Sequence, residues 1–161
     1  MSETKTNVQR ILEQKKIPYV PHTYDASDGA IDGVSVAAKV GLPVERVCKT
    51  LVTRGSSGGF HVFVIPVTQE LDLKAAARAA GEKSVAMLPQ KELLPLTGYV
   101  HGGCSPVGMK KRFPTVIDAS AEEQSTIAVS AGRIGSQAEL APRALAELTG
   151  ASFADVIRHM E

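Results

Sequence analysis

Two segments rich in β-branched and aromatic residues predict the clearest strands of the chain. They are VCKTLVTR (47–54) and FHVFVIPV (60–67), and the glycine-rich segment GSSGG (55–59) separates them. Two such runs joined by a short glycine-rich turn are typical of a β-hairpin. Shorter runs predict further strands at YVPHTY (19–24), SVAML (84–88), GYVHGG (98–103), FPTVIDAS (113–120) and TIAVSAG (126–132).

Apolar residues at helical spacing, bounded by capping residues, predict the helices. Residues 6–16 place Val8, Ile11 and Leu12 on one face. In SVAAKVGLP (35–43), Ser35 is the predicted N-cap and Gly41 lies just past the end. Further helical segments are predicted at DLKAAARAAG (72–81), PQKELLPL (89–96), APRALAELTG (141–150) and SFADVIRHM (152–160).

The order of these elements predicts the fold class. Hairpins and helices are interspersed without regular strand–helix alternation, which argues against a doubly wound fold. We therefore expect an α/β (α+β) protein with a mixed, largely antiparallel sheet and helices around it. A length of 161 residues, 43% of them apolar, fits one domain, and we expect residues 1–161 to form it.

Composition narrows the classes of function. The net charge is +1, so contact with nucleic acid would have to come from a local patch, and the longest basic run is Lys110–Arg112. No DNA partner is expected. Cys48 and Cys104 form no CxxC or metal-ligand spacing, so we expect reduced thiols, a cytoplasmic protein and no bound metal. The polar start MSETKTNVQR predicts no signal peptide, and no apolar stretch predicts a membrane helix.

Lys49 stands in the middle of a predicted strand. Strand alternation places it on one face with Val47 and Leu51. Its aliphatic stem could lie over these neighbours with its ammonium in water. Alternatively, it could stand in a pocket wall and hold an anionic or carbonyl group. Cys48 lies on the opposite face, so we expect a buried structural thiol that faces away from such a pocket.

The segment TGYVHGGCSPVGMKKR (97–112) combines paired glycines with a basic run. Without a β-carbon, Gly102 and Gly103 let a ligand approach the backbone closely. Backbone N–H groups beside cationic side chains suit a phosphate or a developing oxyanion. A tight loop followed by a solvated charge run is the alternative interpretation.

Five motifs in one order resemble a known family. They are HTYD (22–25), CKTLV (48–52), TGYVHGGCSPVGMKKR (97–112), TVID (115–118) and VSAG (129–132). Together they resemble the YbaK family of free-standing aminoacyl-tRNA deacylases and the editing domains of some prolyl-tRNA synthetases. The resemblance implies a compact domain with a curved mixed sheet, and a pocket for the aminoacylated 3′ end of tRNA. It implies no cofactor.

The resemblance also implies a substrate and a mechanism. Members of this free-standing type resemble Cys-tRNA(Pro) deacylases, in which the cysteinyl thiol attacks its own ester and a thiolactone leaves. Related editing domains direct water at Ala-tRNA(Pro). The expected partner is thus the acceptor end of mischarged tRNA(Pro), with recruitment through prolyl-tRNA synthetase because the net charge of +1 predicts weak affinity for tRNA.

Residue roles follow from the same resemblance. Lys49 and Gly102 match the catalytic positions, and the remaining matches are to substrate contacts. We expect these contacts at Tyr24, Thr50, Gly103, Ser105 and Ser130, and tRNA contacts at Lys110, Lys111 and Arg112. Gln137 is a departure, because some relatives have an acidic residue there, and an amide weakens any claim that a carboxylate reads the substrate amine.

Two other functions remain open from the sequence. One is a non-catalytic module of the same fold that holds tRNA ends or a synthetase. The other is a thiol hydrolase or redox protein in which Cys104, next to the paired glycines, would be the nucleophile.

Overall fold

The computed structural model describes residues 5–159, which contain six α-helices and eight β-strands. The helices are α1 (Asn7–Gln14), α2 (Gly33–Val40), α3 (Leu73–Ala80), α4 (Gln90–Thr97), α5 (Ala119–Glu122) and α6 (Pro142–Thr149). The strands are β1 (Val20–Thr23), β2 (Cys48–Gly55), β3 (Phe60–Pro66), β4 (Val85–Met87), β5 (Thr115–Asp118), β6 (Ile127–Ser130), β7 (Ser136–Leu140) and β8 (Ser152–Ala154).

The strands form two hydrogen-bonded sheets. The larger has the order β4-β2-β3-β5-β8 and the smaller the order β1-β7-β6. An isolated bridge between Val47 and Ala128 connects them. Pairing is antiparallel except between β3 and β5 and between β5 and β8. The predicted α/β class with a mixed, largely antiparallel sheet is confirmed.

Strand β3 lies at the centre of the larger sheet and is buried on both faces. Phe63 and Ile65 pack with residues of α3, such as Ala76, on one face. Val62 and Val64 pack on the other face in the main core cluster, which also contains residues of β6 and β7. Burial on both faces explains why this strand is almost continuously apolar rather than alternating.

Helix α2 begins one turn earlier than the sequence predicted. Its N-cap is Asp32, whose carboxylate accepts a hydrogen bond from the Ser35 N–H at 2.9 Å, so the prediction of Ser35 as the cap is wrong. The end of the helix is as predicted, because Gly41 takes a left-handed conformation there, with φ of 75°. The earlier start matters because it leaves only a short loop, residues 24–32, between β1 and α2.

Two predicted elements are wrong. Residues 98–103 are a loop: α4 ends at Thr97, the capping Gly98 has φ of 87°, and Gly102 has φ of 89°. The C-terminal segment, predicted as a helix to residue 160, instead forms β8, which pairs in parallel with β5; Met160 lies outside the described residues. Within residues 5–159, no helix combines the length and the apolar character needed to cross a membrane.

Candidate functional site

A cavity of about 210 Å³ brings together residues that are far apart in the sequence. It lies where the first half of β2, the loop after α4, the β1–α2 loop and the smaller sheet meet. Five of the residues expected to act in catalysis or substrate binding line it, and so does Gln137. The five are Tyr24, Lys49, Thr50, Gly102 and Ser130.

Lys49 is a half-buried cation in the wall of this cavity. Its ammonium has no hydrogen-bond or ion-pair partner among residues 5–159. Burial lowers the pKa of Lys49, and the nearby charge of Glu70 opposes that shift. A lysine that is partly desolvated without a partner carries an energetic cost, and an anionic or carbonyl group of a ligand would offset it.

Three further polar atoms of the cavity residues are buried without a protein partner. They are Tyr24 Oη, Thr50 Oγ1 and Gln137 Oε1, which find no hydrogen bond within the described part of the chain. Gln137 is only 6% exposed. Most buried polar groups in proteins are hydrogen-bonded, and exceptions call for an explanation. Here the explanation we favour is a ligand whose own donors and acceptors meet these atoms.

Gly102 presents backbone to the cavity. The neighbouring Gly103 N–H donates to Val100 O at 2.9 Å, whereas the Gly102 N–H has no acceptor among residues 5–159. A β-carbon on Gly102 would lie 3.2 Å from Ile31 Cδ1 and 3.4 Å from Ile134 Cγ1, so a side chain would crowd both neighbours. Gly102 thus lines the cavity with backbone alone, and a backbone N–H without a protein acceptor is a group that can stabilise an oxyanion.

Two residues expected to bind substrate lie outside the cavity lining. Ser105 is fully buried, and its Oγ accepts a hydrogen bond from the Val107 N–H at 3.2 Å. Gly103 packs against the backbone of the segment 133–134, where a β-carbon would lie 3.1 Å from the nitrogen of Ile134. Both residues shape the loop that carries Gly102 and do not face the cavity themselves.

Both cysteines contribute to the cavity wall, but as buried thiols. Burial raises the pKa of Cys48 and of Cys104 to about 12. At neutral pH both are therefore protonated and poor nucleophiles. The side chain of Cys48 packs in the main core cluster with Val52 and Val64, while the whole segment 47–51 borders the cavity, so its orientation away from the pocket stays a prediction.

Sequence reasoning gave no role to several residues of the cavity wall. His101 is exposed and lines the cavity next to Gly102, while Ile31 and Asp32 close it from the β1–α2 loop. The position of His101 beside the paired glycines was a usable signal. Ile31 had none, because only the fold brings its loop to Gly102. Among residues 5–159, no three His, Cys, Asp or Glu side chains converge as a metal site.

Two residues of the basic run, Lys111 and Arg112, line a separate groove. Lys110 Nζ donates to Pro95 O at 3.4 Å, near the C-terminal end of α4. Arg112 donates to Thr149 O and Leu148 O, each at 3.3 Å, at the end of α6. Lys111 is exposed and has no such partner within residues 5–159. Thus Lys110 and Arg112 also hold helix ends, whereas Lys111 faces solvent.

Comparisons with known proteins identify the family of this chain. The model of the family described as "Aminoacyl-tRNA editing domain" matches residues 31–148. An Enterococcus faecalis protein named "Putative Cys-tRNA(Pro)/Cys-tRNA(Cys) deacylase EbsC" is 48% identical over 155 residues, which are 96% of this chain and 94% of that protein.

Solved structures share the fold over almost its whole length. The crystal structure of "a putative trans-editing enzyme for prolyl tRNA synthetase" matches with a TM-score of 0.82 and 27% identity, over 94% of this chain and 95% of the other. A hypothetical protein of known crystal structure matches with a TM-score of 0.85 and 26% identity, over 94% of this chain and 99% of the other. The resemblance inferred from the motifs is confirmed, and the chain belongs to the aminoacyl-tRNA editing domain family.

Proposed function

We propose that this protein is a cytoplasmic trans-editing deacylase that removes cysteine wrongly attached to tRNA(Pro). The names of the relative from Enterococcus faecalis and of the structural neighbour support this substrate. The observation that carries the proposal is the cavity itself. It combines an unpaired lysine and a free backbone N–H at Gly102 with two thiols that are protonated at neutral pH.

The reaction needs no protein nucleophile. The sulfur of the cysteinyl group attacks its own ester carbonyl carbon, and the resulting tetrahedral intermediate carries an oxyanion. The bond between the carbonyl carbon and the ribose oxygen then breaks, so that a β-thiolactone and tRNA with a free hydroxyl are the products. The proton of the thiol ends on the ribose oxygen, so atoms and charge balance.

The protein's part is to orient and to stabilise. In this proposal Lys49, which lines the cavity, holds the carbonyl oxygen or the terminal ribose-phosphate, and the Gly102 N–H donates to the oxyanion. Tyr24, Thr50 and Ser130 form polar walls that fix the aminoacyl group. Holding two substrate groups in reacting geometry lowers the barrier by reducing the entropy lost on reaching the transition state.

One observation favours a second candidate, hydrolysis of Ala-tRNA(Pro) by an activated water. His101 is exposed beside Gly102, and an imidazole there could take a proton from water. Under the substrate-assisted mechanism, a His101→Ala variant retains most of its activity on Cys-tRNA(Pro). A large loss of activity in that variant would favour the water mechanism.

Lys49 provides the test of the proposed function. We expect wild-type protein to release tRNA from Cys-tRNA(Pro), and Lys49→Met to lose this activity while its unfolding temperature stays close to that of wild type. Lys74→Met, on the exposed surface of α3, is the matched control and should remain fully active. An inactive wild-type protein would refute the proposed catalysis, and the remaining hypothesis would be a non-catalytic module that holds tRNA ends or a synthetase. A fully active Lys49→Met variant would refute the role of this lysine.

A further inference from the structure

One wall of the cavity is a loop with few polar contacts to the rest of the protein. Residues 25–31 form the middle of the β1–α2 loop, and Ile31 lines the cavity. Their backbone hydrogen bonds are local: Gly29 N–H donates to Ala26 O at 3.1 Å, and Ile31 N–H to Gly29 O at 3.0 Å. Two aspartates cap neighbouring backbone groups within the same loop. These hydrogen bonds all lie within the loop and do not join it to another element.

Lys39, near the C-terminal end of α2, reaches into this loop. Its ammonium donates to Asp25 O at 2.6 Å, to Asp28 Oδ1 at 2.8 Å and to Ala30 O at 3.0 Å. All three N–H groups of the ammonium therefore donate hydrogen bonds to acceptors within residues 25–30. The Lys39 side chain is 22% exposed, whereas that of Asp28 is 55% exposed, so water screens the ion pair and the carbonyl contacts contribute alongside it.

The same ammonium acts on Tyr24. It lies 6.0 Å from the centroid of the Tyr24 ring, at the outer limit for a cation–π contact. Tyr24 Oη is one of the buried atoms without a protein partner in the cavity. Lys39 thus contacts the loop between two cavity residues, Tyr24 at its start and Ile31 at its end.

We propose that Lys39 is a positioning residue that fixes the β1–α2 loop as a wall of the cavity, and so holds Tyr24 and Ile31 in place for the aminoacyl group. Lys39 is not among the residues that line the cavity, so it acts through the loop. The hydrogen bond from Lys39 lowers the pKa of Asp28, which agrees with a close ion pair at neutral pH. The activity readout rests on the proposed deacylase function; the position of the loop can be measured without it.

Two measurements on Lys39→Met test the proposal, with Lys74→Met as the matched control. Hydrogen–deuterium exchange should become faster in residues 25–31 and stay unchanged in the hairpin strands β2 and β3. On Cys-tRNA(Pro), KM should rise roughly ten- to a hundredfold, the range expected for misplaced binding groups, with a much smaller change in kcat. A merely structural role would instead speed exchange throughout the protein, or leave KM unchanged.

A second variant keeps the proposal testable if Lys39→Met does not fold. Asp28→Asn removes the charge of the one carboxylate among the three acceptors of Lys39. It should speed exchange in the loop and raise KM, both to a smaller extent than Lys39→Met does. Combined with Lys39→Met, it should add almost nothing, because both substitutions break the same contact. If both variants had the exchange rates and the KM of the wild-type protein, the proposal would be overturned while the deacylase function stayed intact. An inactive wild-type protein would instead refute the proposed function, and slow exchange in the loop of Lys39→Met would still overturn the role of Lys39.

Discussion

Ile31 Cδ1 lies so close to Gly102 that it leaves only tight space for a side chain there. A β-carbon built on Gly102 would be 3.2 Å from it, and Gly102 has φ of +89°, a conformation that suits glycine. The two residues come from different loops, one held by Lys39 and one following α4. Both residues line the cavity.

Replacing Gly102 with alanine should therefore impair catalysis more than folding. The new methyl group would displace Ile31 or the Gly102 backbone, and the N–H would lose its position at the cavity. We expect kcat on Cys-tRNA(Pro) to fall by roughly a hundredfold or more, as when one oxyanion donor is lost. The positive φ should cost about 1–2 kcal/mol of stability. Kinetics and thermal unfolding of the same preparation measure both effects.

Gly58 offers a matched control for this substitution. It has φ of +93° in the hairpin turn, and nothing lies within 4 Å of a β-carbon built on it. Gly58→Ala should lose a similar amount of stability and keep its activity. If both alanine variants were equally active, Gly102 would have no special role in the reaction.

The fold could be predicted from the sequence wherever local signals decide the structure. The β2–β3 hairpin and α3, with Asp72 as its N-cap and Gly81 at its end, were predicted for this reason. Strand β7, Ser136–Leu140, was not predicted, because SQAEL contains few residues that favour strands. It becomes a strand by pairing with β1 and β6, and these contacts are far apart in the sequence. The same holds for β8, whose apolar spacing suggested a helix.

The site was only partly predictable. Lys49, Gly102 and Tyr24 were found because they lie in motifs that resemble a family, and the structure brings them to one cavity. Lys39 could not be found this way, since two of its three acceptors are backbone carbonyls of a loop. Ser105 was assigned to the substrate from its motif, yet its hydroxyl accepts a backbone hydrogen bond inside the loop.

The basic run should separate into two kinds of residue. Lys111 is exposed and has no polar partner within residues 5–159, so we expect it to contact a tRNA phosphate. Lys111→Gln should reduce the salt dependence of tRNA binding by roughly one unit of log–log slope. Its unfolding temperature should not change, because the side chain holds no part of the fold.

Arg112→Gln should behave differently. Arg112 donates to carbonyls at the end of α6, so this variant should also lose roughly 1 kcal/mol of stability, as expected for a cation at a helix C-terminus. Binding measured between low and moderate salt, together with denaturant unfolding, separates the two effects. An unchanged salt slope in Lys111→Gln would show that this lysine is only solvated.

Glu82 should make the stability of the β2–β3 hairpin depend on pH in acid. Hydrogen bonds from Ser57 and His61 lower its pKa from 4.5 to about 2. Because the folded state favours the carboxylate, this stabilisation is complete above about pH 4.5. It is lost as the pH falls towards about 2, where the folded protein also takes up the proton.

Glu82→Gln tests this dependence. The variant should be less stable than wild type at neutral pH, and the difference should shrink as the pH falls between 4.5 and about 2. Glu123→Gln, an exposed position on another part of the surface, should show no such trend. A difference between wild type and Glu82→Gln that is constant with pH would contradict the assignment.

The central claim is that the thiol of the cysteinyl group is the nucleophile. It is tested most directly by measuring release of tRNA from Cys-, Ser- and Ala-tRNA(Pro) in parallel and by identifying the first product. A thiol with a pKa of ~8.5 is partly ionised near neutral pH, whereas a serine hydroxyl is not, so only cysteine can act as its own nucleophile. We predict that Cys-tRNA(Pro) is cleared much faster than the other two, and that a thiolactone appears before free cysteine. Cleavage of Ser- or Ala-tRNA(Pro) at a similar rate, or free cysteine as the first product, would contradict the account.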